Sequence, residues 1–249
     1  MESKIIFKNV SLVFDEHQQR GLTFKELFAR TLSGRNNAIK ANKRKALDSI
    51  SIEINHGERI GIVGSNGAGK STFLKTLCRI YEPTSGEISI SGNIAPLLEI
   101  GAGFNPELSG RENIYLNGAI LGHSISELKS LEAEIISFSE LSEYIDTPVK
   151  YYSTGMYLKL AFSIATAIKP DILVLDELFA GGDAEFVAKA KKRMEHFIAE
   201  SSIMFFVSHQ LDLLQELCTR VIWIDHGKLI ADGVPDKVIE AYLNKGHHD

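Results

Sequence analysis

The chain has 249 residues, 44% of them hydrophobic and 24% charged, with a net charge of −5 and a pI near 5.9. These values suit one large globular unit with a sizeable core, and the acidic balance leaves no electrostatic footprint for nucleic acid. No apolar run approaches the ~18 residues that span a bilayer, no secretory signal opens the chain, and Cys78 and Cys218 are too few for a disulfide framework or a zinc site.

Taken in order, Lys4 to Phe14 reads as an opening strand or hairpin. Asp15 to Lys45 is polar and irregular with one helical piece, and Ala46 to Ile54 alternates as a strand. Glu58 to Val63 reads as a short buried strand, and Lys70 to Ile80 as a helix. Gly86 to Ser91 and Ile94 to Leu98 are short strands around Gly92-Asn93. Gly110 to Phe138 is helical with a break near Gly122, and Ser153 to Ile168 is an apolar helix ended by Pro170. Asp171 to Glu177 reads as a buried strand with two acids at its carboxyl end. A helix (Asp183 to Glu200), a strand (Ile203 to Val207) and a helix (Leu211 to Cys218) follow. Val221 to Ala231 reads as a hairpin around His226-Gly227. Both cysteines fall in apolar helical contexts, so buried, reduced thiols and a reducing compartment are expected. Strands interleaved with helices make an α/β fold whose ligand sits at the strand carboxyl ends.

Between the strand ending at Val63 and the helix starting at Lys70 stands Gly64-Ser65-Asn66-Gly67-Ala68-Gly69-Lys70-Ser71-Thr72. Its spacing, glycine, four residues, then Gly-Lys-Ser, is that of a phosphate-binding loop. Glycines let successive N–H groups curl around an anion, and the helix N-terminus adds its dipole. Lys70 can reach the β and γ phosphates, and the Ser71 hydroxyl can ligate Mg²⁺. Beside such a loop, an apolar strand ending in Asp176-Glu177 has a second use. Asp176 can hold the Mg²⁺ shell, and Glu177 can polarise the attacking water.

Tyr152-Ser153-Thr154-Gly155-Met156 stands directly before an apolar helix and about twenty residues ahead of the acidic pair, and His209 follows the strand Ile203 to Val207. With these residues the chain resembles the ATP-binding cassette (ABC) ATPases over essentially its whole length. The resemblance implies a P-loop NTPase nucleotide-binding domain spanning residues 1–249. Its parts would be a RecA-like core, an antiparallel β subdomain and a helical signature subdomain at about 100–168. The family's signature falls on Tyr152 to Met156, so Ser153 and Gly155 would contact a γ-phosphate. Asp183 falls on the aspartate of the D-loop and His209 on the switch histidine. The family works as a head-to-tail homodimer, with two ATP molecules each held between one chain's loop and the other's signature. Thr154 and Met156 replace a glycine and a glutamine of the signature, Leu178 replaces a common proline, and Glu99 stands where most of the superfamily has glutamine. A carboxylate at Glu99 could still touch Mg²⁺ or water.

The run Leu97 to Phe104, then Asn105 to Ile114, together with the Tyr-Ser-Thr-Gly-Met signature, resembles the ATPase subunits of bacterial polysaccharide exporters. Those exporters move O-antigen, capsule or teichoic acid. The resemblance implies a polytopic membrane subunit as partner and a lipid-linked polysaccharide as cargo. It places the chain on the cytoplasmic face of the bacterial inner membrane, peripheral through that partner. Phe24, Leu27, Phe28 and Leu32 share one helical face in an insertion at about 15–45. That face either packs on its own domain or meets the membrane subunit. The basic run Lys40, Lys43, Arg44, Lys45 reads as a solvated loop or an attraction to anionic headgroups. Phe14 either stacks on adenine or belongs to the core. No carbohydrate-binding domain is expected after Tyr242. Two other readings are a DNA- or ribosome-directed ABC ATPase and a catalytically idle cassette. The first is disfavoured by the single cassette, the lack of heptads and the acidic balance, and the second by the presence of Lys70, Glu177 and His209.

Overall fold

The computed structural model describes residues 2–15, 43–98, 100–176 and 183–245. Phe24, Leu27, Phe28, Leu32, Lys40, Glu99 and Glu177 lie outside that set.

Alternation along a few buried strands generates the layers. In β7 (Ile203–Val207), Ile203, Phe205 and Val207 face one apolar cluster, while Met204 and Phe206 face another. The same two-residue period splits Ile172 and Val174 from Leu173 and Leu175 in β6 (Ile172–Asp176). A strand apolar on both faces is stable only with cover on both sides. The sheet runs β5-β6-β7-β3-β8-β9, where β3 is Arg59–Val63, β5 Ile94–Leu97, β8 Arg220–Asp225 and β9 Lys228–Gly233. All its pairings are parallel except the closing β8–β9 hairpin. Gly61 in β3 is tightly enclosed, since an added Cβ would lie 3.0 Å from Val221 and 3.1 Å from Cys218 Sγ.

One face is covered by α1 (Lys70–Leu77) and by a second, antiparallel sheet β2-β1-β4, with β1 Lys4–Asp15, β2 Lys43–Asn55 and β4 Ser85–Ser91. Phe73 of α1 sits between Phe7 of β1 (4.9 Å between ring centroids) and Phe205 of β7 (6.3 Å). Burying each such side chain contributes roughly 1.5–3 kcal/mol. The two short strands around Gly92-Asn93 part company there: β4 joins the antiparallel sheet and β5 pairs with β6 in the parallel one.

The other face carries helices. These include α4 (Thr154–Ala165), α5 (Ala184–Glu200), α6 (Leu211–Leu217) and α7 (Pro235–Lys245). A third apolar cluster around Ile114, Ile135, Leu141, Ile145, Leu160 and Ile164 forms a helical lobe from α2 (Gly110–Ile120), α3 (Ile125–Ser139) and part of α4. Ser109 and Ser124 open α2 and α3 with reciprocal capping boxes to Glu112 and Glu127, the arrangement that satisfies two orphan donors at once.

Most expected elements appear within one or two residues, with instructive differences. α1 stops at Leu77 rather than Ile80, because Arg79 turns left-handed (φ 57°). β2 starts at Lys43, so Lys43, Arg44 and Lys45 belong to a strand and not to a loop. The amphipathic helix α7 was not anticipated, although proline at its first position and apolar Val238, Ile239 and Tyr242 carry its signal. Cys218 is buried and Cys78 half-buried, and burial pushes both thiols up to about 12, consistent with inert reduced cysteines.

Asn113 ties the helical lobe to the loop before it. Fully buried, it accepts a bond from Asn105 N (2.8 Å) and donates to the carbonyls of Asn105, Leu108 and Ser109 (3.0, 3.2 and 2.9 Å). Asn113→Leu keeps the branched shape but leaves Asn105 N–H without its acceptor, while the three carbonyls each keep one backbone donor. We expect a loss of about 2 kcal/mol, read as a lower urea midpoint with the slope of the transition unchanged.

Candidate functional site

The carboxyl ends of β3, β6 and β7 open into a cleft of about 660 Å³. Because β7 lies between β3 and β6, with Asp176 in register with Val207, the phosphate-type loop, the acid and the histidine converge from three distant segments. Asn66, Gly67, Gly69, Lys70, Ser71 and Thr72 line one wall, Asp176, Val207 and His209 another, and Phe14, Arg44, Lys45 and Ala46 a third.

The loop between β3 and α1 is held in a shape that side chains resist. Gly64, Gly67 and Gly69 have φ of 154°, 80° and 109°. At Gly64 an added Cβ would fall 2.2 Å from the carbonyl oxygen of Ile224. Gly69 is the N-cap of α1, no side chain caps the helix, and no acid stands in its first turn. The first-turn N–H groups are therefore left for an anion to satisfy. Lys70 folds back over the loop and donates to Gly64 O (2.7 Å) and Ser65 O (3.1 Å). An incoming phosphate would exchange those carbonyls for a full negative charge. Ser71 is exposed at the helix start, and Asp176 is half-buried opposite it in the same cleft. A hydroxyl, a carboxylate and phosphate oxygens are the hard donors that Mg²⁺ takes, so these two residues fit that ion.

The hairpin between β8 and β9 braces this loop. His226 and Gly227 are both left-handed (φ 45° and 75°), as a two-residue hairpin turn of this kind requires. Gly227 N donates to Ala68 O (2.7 Å), and Asp48 N of β2 donates to Gly227 O (2.8 Å).

Phe14 stands at the cleft edge, 38% exposed and edge-on to Tyr81 at 5.3 Å. Its partner across the β1–β2 ladder is Arg44, which sequence reading had assigned to a loop. Arg44 and Lys45 both line the cleft, but they differ in commitment. Lys45 forms a salt bridge with Asp48, whose carboxyl is held below its usual range chiefly by that lysine. Among the described residues, no acceptor is paired with Arg44.

Ser153, Gly155 and Asp183 do not line the cleft. Ser153 caps α4, accepting from Met156 N at 3.2 Å. Gly155 is not left-handed, and the nearest atom to an added Cβ is Ser153 Oγ at 3.9 Å. Among the described residues nothing therefore requires a glycine in this first turn, where glycine costs about 1 kcal/mol relative to alanine. Asp183 caps α5 through Phe186 N (2.9 Å) and pairs with Lys159 (2.7 Å). Tyr157, one position past the signature, donates to Gly101 O (2.7 Å) and so ties α4 to the loop that follows Glu99. Gly101 is left-handed, and an added Cβ would lie 2.6 Å from the Tyr157 ring.

The family model described as ABC transporter matches residues 47–180. The O-antigen export system ATP-binding protein RfbB of Klebsiella pneumoniae is 39% identical over 242 residues, covering 97% of this chain and 98% of that protein. RfbB of Myxococcus xanthus is 44% identical over 240 residues, covering 96% of this chain, which spans about half (55%) of that longer protein. Among solved structures, an ATP-binding cassette dimer in a post-hydrolysis state bound to ADP and Pi aligns with a TM-score of 0.63. It is 19% identical and covers 93% of this chain and 98% of that one, a likeness of fold.

The two basic residues of the third wall should separate in a nucleotide titration. Arg44→Gln is expected to weaken ATP binding about tenfold, the worth of one hydrogen bond to a charged group. Lys45→Gln should change it far less, because that charge already answers Asp48. Gly227→Ala should weaken ATP binding too, although the hairpin tip need not touch the ligand. Its Cβ would meet Ala46 O at 2.5 Å and shift the turn that holds Ala68.

Proposed function

The chain belongs to the ABC transporter family, and from that premise we propose that it is the ATP-hydrolysing subunit of an exporter of lipid-linked polysaccharide, O-antigen in the first instance. The observation that carries this reading is the close match, over nearly the full length of both chains, to a protein named for O-antigen export. The subfamily words at Leu97 to Phe104 and Tyr152 to Met156 support it. A polytopic membrane subunit is the implied partner, and attachment at the cytoplasmic face of the inner membrane would run through it. No helix among the described residues is long and apolar enough to cross a membrane.

Catalysis in this reading is positioning and electrostatics. The loop amides and the α1 N-terminus hold the phosphates, and Lys70 leaves the Gly64 and Ser65 carbonyls to pair with them. Ser71 and Asp176 would hold Mg²⁺, with Glu99 as a further candidate, and the ion would offset phosphate charge. Glu177 orients the attacking water and accepts its proton. His209, exposed at the cleft wall beyond β7, contacts the γ-phosphate. Phe14 carries the adenine. Ser153 and Gly155 act on the ATP of a second copy arranged head to tail. The open space at Gly155 supports this, because among the described residues no group gives that position a reason to lack a side chain, whereas an incoming phosphate would. Asp183 would stand at the same junction.

Three measurements test the reading. Gly155→Ala should leave the isolated chain as stable as wild type, or up to ~1 kcal/mol more stable, yet depress ATP hydrolysis. A loss of stability instead would make the glycine a packing requirement. Glu177→Gln should nearly abolish hydrolysis while ATP still binds and drives dimer formation in sedimentation; a near-normal rate would remove Glu177 as the base. In cells, the same substitution should stop surface polysaccharide and leave lipid-linked glycan inside. Unchanged surface polysaccharide in a strain carrying only that variant would leave a generic ATPase and refute the export role.

A further inference from the structure

Strand β2 brings Arg44, Lys45 and Ala46 to the cleft in succession, although neighbouring side chains of a regular strand point to opposite faces. The register explains it. Leu12 of β1 pairs with Leu47 and Val13 with Lys45, so Ala46 is an extra residue that bulges from the ladder. A bulge re-aims the side chains beside it. It also sets this stretch against the phosphate-type loop: Ala46 O stands 3.0 Å from where a Cβ on Gly69, the N-cap of α1, would be. Lys45 is therefore one residue from a contact with the helix end that receives an anion. Its ammonium is nevertheless bonded to Asp48 Oδ1.

Asp48 is anchored to keep that hold. Its backbone N–H is fixed on Gly227 O at 2.8 Å, Ser49 Oγ donates to Oδ1 at 3.3 Å, and Lys228 lies 3.5 Å from Oδ2. Of its two lysines only Lys45 lines the cleft. The phosphates of a nucleotide in the cleft and the aspartate thus compete for one cation. A single ammonium serves both only if a phosphate comes into contact with the carboxylate, which like charge opposes. We propose that Asp48 sets the nucleotide affinity of the cleft by holding Lys45 off the phosphates, so that binding is weaker than the same side chains would give unrestrained. The proposal rests on the reading of the cleft as the ATP site. It makes Asp48 a positioning residue that acts through Lys45, since Asp48 does not itself line the cleft. The restraint is compatible with turnover, because a contact made equally in the ground state and the transition state tightens binding without speeding the chemical step.

The test measures the ATP Kd of the full chain in the presence of Mg²⁺. Asp48→Asn removes the charge and keeps the backbone bond to Gly227. It should tighten ATP binding about fivefold, part of the worth of one hydrogen bond to a charged group. Asp48→Asn combined with Lys45→Gln should return the Kd to within about twofold of Lys45→Gln alone, because the gain passes through that one ammonium. Lys228→Gln frees no cation in the cleft and should leave the Kd within about twofold of wild type. A purely structural role for Asp48 predicts the opposite sign, since loosening the brace behind Ala68 would weaken binding. An unchanged or weaker Kd in Asp48→Asn, or a gain that survives Lys45→Gln, overturns the proposal. Should Asp48→Asn fail to fold, as read by its thermal transition, Asp48→Ser takes its place and the same two outcomes decide. Lys70→Ala measured alongside keeps the two readings apart. If it leaves ATP binding intact, the cleft is not the ATP site; if binding collapses there and Asp48→Asn shows no gain, only the role of Asp48 is refuted.

Discussion

A phosphate can be gripped by bare backbone only if that backbone is held in a shape it would not keep alone, and the segment between Val63 and Lys70 meets this demand from outside itself. Left-handed glycines permit the curl but do not enforce it, and no side chain caps the helix that follows. Enforcement comes from neighbours. Ala68 O is held by the tip of the β8–β9 hairpin, which is held in turn by Asp48 N of β2. Gly64 lies so close to Ile224 that only a hydrogen fits. The same chain of backbone bonds sets the antiparallel sheet in register with the loop, and with it the wall bearing Phe14 and Arg44. The polar end and the aromatic end of the cleft therefore share one frame, although residues from opposite ends of the chain build it.

A second dependence concerns α4, which is a common wall of two apolar clusters. Phe162 and Ala165 belong to the cluster under the parallel sheet, and Leu160 and Ile164 to that of the helical lobe. A helix shared in this way cannot move without disturbing both, and close-packed interiors answer such disturbance in discrete steps. Its polar contacts reach two segments distant in sequence. Tyr157 holds the loop after Glu99 through Gly101, and Lys159 holds Asp183 beyond Glu177.

Much of this architecture was legible before any fold was known. The phosphate loop, the acid at the end of β6 and the signature are short words whose meaning depends on residues a few positions apart. Strand and helix periods were readable because Ile203 to Val207 and Ser153 to Ile168 carry their own patterns. Even the hairpin at His226-Gly227 announced itself, since a glycine beside a polar residue between two apolar runs is local turn chemistry. The reading faltered at Arg44, where a basic run looks like any solvated loop until its strand partner is known, and at α7, where Pro235 followed by Val238, Ile239 and Tyr242 does carry a helical pattern.

The sequence by itself determined that this chain has a nucleotide-binding loop, an acidic strand end and an ABC-type signature in an α/β framework, because each is encoded within about a dozen consecutive residues. Only the tertiary structure decided that β4 and β5 join different sheets and that Arg44 lines the cleft beside Phe14. It also decided that Gly227 braces Ala68 and that Lys159 bridges Glu140 and Asp183. These are pairings between segments tens to more than a hundred residues apart. Local preference says nothing about which distant backbone or charge will be the neighbour. That choice falls to the burial of two-faced strands and to the satisfaction of every polar group the burial traps.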